Sequence, residues 1–285
     1  MNLCEELKNR YADGSKHANY QNLPEFVKQE IDFDVNIDES WRGDTARYRY
    51  ISARLALKEG EVIGDIGANT GFFTLSLARR QPGARFLAYE INPRHVEFIH
   101  LVKRHFGMSN VEVREKGVSL DAIDTLERHD LLLNFNVLHH AGVDFDQGMI
   151  ASPDRFMDYA VRYLAALGRK TSSMLFQMGY NWGGDKTRPI VELQDDWAKM
   201  LFSVRCFLQS GWQVDTIALC RKTTSGREYV DVPEPLRAAV LEQAQGLTAP
   251  DPQQAAALLA PYDLPHLSEF YRRPLFGVSS GRVGQ

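Results

Sequence analysis

Between Val62 and Phe135, short apolar or alternating runs take turns with stretches whose apolar residues recur every three or four positions. The runs Val62–Ile66, Phe86–Glu90, Val111–Glu115 and Leu131–Phe135 have strand length, whereas Phe72–Arg80 and Pro93–Phe106 have helical spacing, with a short helix near Leu120–Leu126. This alternation predicts βαβ units around a parallel sheet. Ser152-Pro153 sets up a helix start, Gly168 closes that helix after Leu167, and Ser173–Gln177 gives a fifth strand. Val191–Ser210 reads as a helix stopped by Gly211. Trp212–Leu219 and Glu228–Val232 then read as two strands joined by the turn Thr223-Thr-Ser-Gly226, an antiparallel hairpin. Upstream, helices are predicted over Leu3–Tyr11, Pro24–Glu30 and Tyr48–Leu57. Past Val232 the chain turns to Ala, Pro, Leu and Gln, and Pro250, Pro261, Pro265 and Pro274 punctuate what reads as short helices.

Composition adds bounds rather than a function. With 285 residues, 44% hydrophobic and 25% charged, the chain has the make-up of an ordinary globular protein able to bury a core. Thirty-three Lys and Arg against 37 Asp and Glu give a net charge of −4, so no global attraction to a phosphate backbone is available and a nucleic-acid partner is disfavoured. Cys4, Cys206 and Cys220 are scattered and form no C-x-x-C pair, against a disulfide framework or a cysteine zinc site. No signal peptide and no transmembrane run is visible, so the expected location is the cytoplasm.

The most informative stretch is Val62-Ile-Gly-Asp65-Ile-Gly67-Ala-Asn69-Thr-Gly71-Phe72, an apolar strand that ends in an acid and passes through a glycine turn into a helix. Glycine belongs where the backbone turns tightly and a ligand must approach without a Cβ in the way. A dinucleotide fingerprint would put glycine at the first, third and sixth positions; counted from Gly67, these are Gly67, Asn69 and Phe72, so that fingerprint fails. The turn Asp-x-Gly-x-x-x-Gly instead closely resembles that of class I S-adenosylmethionine (SAM) methyltransferases. The resemblance covers roughly 41–232 and is absent from the last fifty residues. It implies an α/β fold: a Rossmann-like, seven-stranded, mostly parallel sheet with a C-terminal antiparallel hairpin, plus N- and C-terminal helical appendages. The expected division is 1–40 as a helical segment, 41–232 as the methyltransferase domain and 233–285 as a helical appendage.

The resemblance also implies a cofactor, SAM, and the residues that hold it. Asp65 would act on its cationic methionine part, Gly67, Asn69, Gly71 and Phe72 would lie against it, and Glu90, at the end of the second strand, would accept its ribose hydroxyls, with Ile91 beside it. Gly117 and Val118 would contact the adenine edge, and Asn134 and Phe135 would lie beside the transferring methyl. Trp41 and Arg47, in the unusual segment Trp41-Arg-Gly-Asp-Thr-Ala-Arg47, could close over the methionine end, or be a core anchor and an ion-pair partner.

Methyl transfer from a sulfonium mainly requires alignment, but a neutral hydroxyl acceptor also profits from a base near neutrality. His139 and His140 follow the fourth strand directly. Being adjacent they would not both point into one site, so one is expected to be catalytic and one structural, with the choice open. A divalent cation held among His139, His140, Asp144 and Asp146 is the weaker alternative, because the spacing matches no ligand pattern, and no metal is expected. Tyr180-Asn-Trp-Gly-Gly-Asp185 could offer aromatics to a flat acceptor, or bury Trp182 against Trp197.

Trp41, Gly43, Asp44, Ala46, Arg47, Gly71–Ala78 and His139–His140 together look like the methyltransferase part of bacterial enzymes that methylate the ends of lipopolysaccharide O-antigen chains. The function this implies is SAM-dependent O-methylation of a saccharide hydroxyl or phosphate in surface polysaccharide synthesis. Alternatives are methylation of another small metabolite or of tRNA and, in a different class, a catalytically inactive SAM-binding subunit. Peripheral membrane association and oligomer formation stay open.

Overall fold

The computed structural model describes residues 3–12, 22–32, 43–191, 195–224, 226–249 and 251–280. They form two compact units, Met1–Gly117 and Val118–Gln285.

In the first unit, α1 (Leu3–Ala12), α2 (Glu25–Lys28) and α3 (Asp44–Arg54) precede β1 (Val62–Ile66), α4 (Phe72–Arg80), β2 (Arg85–Glu90), α5 (Pro93–His105) and β3 (Val111–Glu115). The strands lie in the order β3-β2-β1, all parallel, with Val62 opposite Arg85 and Glu90 opposite Glu115. Parallel strands need helices on their faces, and β1 and β2 are accordingly apolar and buried. Asn92 caps α5 by accepting from the Arg94 N–H at 3.0 Å, with Pro93 in the first turn. Helix α3 starts at Asp44, four residues before the expected Tyr48. Gly43, at φ 71°, turns the chain there, and Asp44 in the first turn is paired with Arg47 at 2.5 Å. The ion pair replaces the apolar periodicity by which sequence reading locates a helix start.

The second unit contains β4 (Leu131–Phe135), α6 (Phe156–Leu167), β5 (Ser173–Gln177), α7 (Asp196–Ser210), β6 (Trp212–Thr223), β7 (Gly226–Asp231), α8 (Glu234–Ala244), α9 (Pro252–Leu259) and β8 (Leu275–Ser280). Its strand order is β4-β5-β8-β6-β7. β4 and β5 are parallel, and every later pairing is antiparallel. The mostly helical reading of 233–285 therefore needs a correction, since β8 enters the sheet between β5 and β6 and brings the strands among the described residues to eight rather than seven. Gly277 permits the close approach of this strand to β6. A Cβ on it would come 2.5 Å from the Thr216 hydroxyl, beside the irregularity in the β6–β8 register between Val214 and Thr216. Helix α7 begins at Asp196, later than the expected Val191, because the Asp195 carboxylate caps it by accepting from the Ala198 N–H at 2.6 Å. Its end at Gly211, φ 83°, is as expected. Phe207 joins Phe176 of β5 and Phe276 of β8 in edge-to-face contacts at 5.2 and 5.3 Å, which seats α7 on the sheet. Among the described residues no helix is long and apolar enough to cross a membrane.

Candidate cofactor site and histidine cluster

In the first unit the turn after β1 is held open by its own backbone. Gly67, Asn69 and Gly71 have φ of 68°, 55° and 76°, a conformation that glycine takes freely and asparagine tolerates. The Gly67 and Ala68 N–H groups donate to the Tyr89 carbonyl at 2.9 and 3.0 Å, which ties the turn to the end of β2. A Cβ on Gly71 would come 2.9 Å from Ile99 Cγ1, so α4 and α5 approach each other there only because the residue is glycine.

Glu90 completes this tie. Its Oε2 accepts from the Asn69 N–H at 2.7 Å, and its Oε1 accepts from the N–H groups of Ile91 and Asn92 at 3.0 and 2.8 Å, with His95 Nδ1 3.6 Å away. Burial alone would raise its pKa; His95 and the Asn92 and Asn69 amides outweigh burial and lower it. Asp65 is the opposite case. It is buried at 5% exposure, and desolvation pushes its pKa up to about 7 despite the Thr74 hydroxyl that donates to Oδ2 at 2.6 Å; the nearby Glu90 charge adds to the rise. The two acids thus differ in state, with Glu90 held ionised and Asp65 poised near neutrality.

Ile91 is 56% exposed, unusual for a large apolar side chain, and a Cβ on Gly117 would approach its Cγ2 at 3.1 Å. Phe72 is buried, with edge contacts to Tyr48 and Phe73 at 5.8 and 5.2 Å. Arg47 is buried too: it is paired with Asp44 and lies 5.2 Å over the Phe73 ring. Of the two roles expected for Arg47, the structure displays the internal ion pair. Trp41 lies outside the described residues.

In the second unit, Asn136 follows β4 with φ 61° and leads into a short 3-10 turn, Leu138–His140. His139 is buried at 3% exposure, and its Nδ1 accepts from the Gly179 N–H at 3.2 Å. An accepting Nδ1 leaves the proton of the neutral ring on Nε2. Burial, the adjacent His140 and Arg273 all hold its pKa well below the ordinary histidine value. His140 is partly exposed, and its Nδ1 lies 2.6 Å from Asp144 Oδ2, an ion-pair contact poorly aligned as a hydrogen bond. Burial lowers its pKa, while Asp144 pulls the other way. The two rings lie 4.2 Å apart. Asn134 is fully buried and, among the described residues, neither amide atom has a hydrogen-bond partner; Phe135 beside it is buried, and the Val118 carbonyl accepts from the Tyr163 hydroxyl at 2.8 Å.

Sequence reasoning missed Arg273. This buried guanidinium, just before β8, donates to Asn136 Oδ1 at 2.7 Å and grips Glu269 through Nε and Nη2 at 2.9 and 2.6 Å. The one available signal was the pair Arg272-Arg273 in a segment with few cations. Asp146 does not join the histidines: its Oδ2 accepts from the Leu120 N–H at 2.7 Å and from the Tyr159 hydroxyl. Among the described residues no three His, Cys, Asp or Glu side chains are grouped to hold a metal. Tyr180 and Trp182 are no stacking platform either. Both are buried: the Tyr180 hydroxyl meets Ser203 Oγ at 2.7 Å, the Trp182 indole donates to the Ala141 carbonyl at 2.6 Å, and Arg188 covers the Trp182 ring at 3.8 Å. Trp197, offered as the partner of Trp182, donates instead to Gln243 at 2.7 Å.

No family model matches the chain. A curated relative, tRNA U34 carboxymethyltransferase of Desulfotalea psychrophila (strain LSv54 / DSM 12343), is 28% identical over 108 residues, 38% of this chain and 33% of the relative. The match thus spans a third of that protein's length. Similar solved structures include precorrin-6y C5,15-methyltransferase from Geobacter metallireducens GS-15, with TM-score 0.41 and 16% identity over 65% of this chain and 82% of that one. StiE O-MT residues 942–1257 gives 0.44 and 13%, over 83% and 74%. The bifunctional kinase-methyltransferase WbdD gives 0.37 and 23%, over 52% and 32%. The α/β, Rossmann-like class expected from the motif around Asp65 is the fold that the strand and helix order displays.

Proposed function

We propose that this chain is a SAM-dependent methyltransferase whose acceptor is a hydroxyl, with a saccharide as the class that the sequence resemblance favours. The observation that carries the reading is the left-handed turn Gly67–Gly71 latched by Glu90, next to the buried, near-neutral Asp65. These residues suit the cofactor. A carboxylate has about four acceptor directions, and three on Glu90 are taken by amides, leaving one for a ribose hydroxyl. Exposed Ile91, with Gly117 lacking a Cβ beneath it, offers an apolar face to a flat base. Asp65 gains a counter-charge when an ammonium comes near. SAM, when bound, supplies the electrophilic methyl group.

Of the two histidines, His140 is assigned as base. Asp144 at Nδ1 orients the ring and favours its charged form, and Nε2 remains to take the acceptor proton. His139 is assigned a positioning role, since Gly179 occupies its Nδ1 and its Nε2 carries hydrogen. His140→Ala is expected to lower kcat about 10²–10⁴-fold with SAM affinity unchanged. The wild-type rate, followed against a panel of saccharide acceptors, should fall only below the ordinary histidine range, because burial keeps His140 neutral at neutral pH. A His140→Ala enzyme with the wild-type pH profile would reject the assignment.

Calorimetry in two buffers of different ionisation enthalpy tests the cofactor reading. An ammonium near Asp65 favours the carboxylate, so binding of SAM or S-adenosylhomocysteine near pH 7 should release a fraction of a proton, and affinity should rise with pH through about 7. Asp65→Asn should abolish the release. No binding by the folded protein would sink the cofactor reading; binding without proton release would sink only the role of Asp65.

The tRNA relative favours a second reading, in which the acceptor is a tRNA base. The net charge of −4 opposes it, and tRNA retained by the protein in a gel shift at physiological salt would support it.

A further inference from the structure

Away from the histidines, the second unit holds a cavity of about 980 Å3, at the upper end of the roughly 300–1,000 Å3 of small-molecule sites. Helix α7 supplies Trp197, Leu201 and Phe202, α6 supplies Met157, and α9 closes the far wall with Ala256 and Leu259. Nothing in the cofactor or base chemistry above uses it.

Its charged groups decide what it could hold. Five carboxylates line it, and all are engaged within the protein. Asp195 and Asp251 cap α7 and α9. Asp196 receives Arg272 through Nε at 3.1 Å and Nη2 at 2.9 Å, with Lys199 at 3.1 Å. Asp154 lies 3.9 Å from Arg155 and hydrogen-bonds Ser152, and Asp263 lies 3.5 Å from His266. Of the two guanidiniums in the lining, Arg272 is held by Asp196. Arg205, half-buried on α7, has no ion pair or hydrogen bond among the described residues. A guanidinium with five donors partly withdrawn from water, beside an apolar chamber, calls for an acceptor group. The surrounding carboxylates, though engaged, repel a multiply charged anion, so a single negative charge fits.

We infer that this cavity binds an amphipathic monoanion, its apolar body against Trp197, Leu201 and Phe202 and its acidic head on Arg205. The site is independent of the methyltransferase reading, and its test requires no turnover. Two fluorescent probes of nearly the same apolar shape separate head from body: 8-anilinonaphthalene-1-sulfonate, a monoanion, and neutral N-phenyl-1-naphthylamine. The wild-type protein should bind the sulfonate with one-to-one stoichiometry and at least about tenfold more tightly than the neutral probe. Arg205→Gln should erase that preference while leaving the neutral probe bound, and Arg205→Lys should restore part of it. Ala256→Trp, at an exposed position on the wall, should weaken both probes, with cooperative urea unfolding verifying that each variant is folded. Equal affinity for the two probes in the wild type, a preference that survives Arg205→Gln, or binding untouched by Ala256→Trp would each overturn the proposal. A carboxylate-headed source is tested by competition: decanoate should displace the sulfonate from the wild type, and failure to do so would limit the site to sulfonate-like heads and overturn a carboxylate ligand.

Discussion

Glu90→Ala should destabilise the first unit by about 3–5 kcal/mol and weaken S-adenosylhomocysteine binding by at least about 100-fold. One carboxylate takes the N–H groups of Asn69, Ile91 and Asn92, and hydrogen bonds to a charged group are worth about 1.5–3 kcal/mol each, with a penalty for donors left orphaned. Water can reach part of the gap that Ala leaves, which keeps the estimate below the full sum. Glu90→Gln tests the charge rather than the volume. Its amide nitrogen must face at least one of these donors, so it too should loosen the turn. The pH dependence has a definite sign. Glu90 has a lowered folded pKa, so its contribution is present above the ordinary Glu value of 4.5 and is lost as pH falls towards the lower folded value. Asp65 has a raised pKa and acts the other way, its contribution fading as pH rises from 3.8 to about 7. Urea unfolding from about pH 3 to pH 8 should therefore lose its decline between about pH 4 and 7 in Asp65→Asn and its decline below about pH 4.5 in Glu90→Gln. Unchanged midpoints in Glu90→Ala would remove the latch from the account.

The second large effect belongs to Arg273. Arg273→Met leaves the Glu269 carboxylate and the Asn136 carbonyl without their donors. Breaking a buried pair on one side costs about 3–5 kcal/mol, and the value should lie near the lower end because a third of the Glu269 side chain is exposed. Arg273→Lys should recover less than half of the loss, since an ammonium cannot reproduce the two-point grip on Glu269. A change in imidazole titration separates this from a purely structural defect. Removing the guanidinium charge should move the His139 and His140 pKa values up towards the ordinary histidine range, observable by NMR. Urea stability and histidine titrations that both match the wild type would refute the role.

These residues also mark where the sequence was readable. The bounds of β1, β3, β4 and β5 coincide with the expected runs, because each is a short, five-residue run whose own composition carries the strand signal. The Asp65–Gly71 turn was equally plain, since its glycines answer to backbone geometry within a few residues. What escaped depends on distance along the chain. The run Leu275–Ser280 becomes a strand only when β5 and β6 offer it two edges, and nothing in its own six residues says so. Arg273 finds Asn136 across 137 positions, and the His139 ring accepts from a Gly179 amide forty residues away. The aromatics of the loop after β5 could be read either as a stacking surface or as core, and the choice falls to burial because Ser203 and the Ala141 carbonyl satisfy their polar atoms.

The strand order of the second unit has a consequence for synthesis on the ribosome. β4 and β5 can pair early, and the β6–β7 hairpin can form by itself, but the two halves have no shared neighbour until Leu275–Ser280 has been made. Until then β5 and β6 each lack the neighbour that β8 supplies, and both edges are open. Each is a template for a foreign strand. The sheet is thus completed as a wedge rather than by growth at its rim, and that closing strand follows directly on the Arg273 that braces the end of β4.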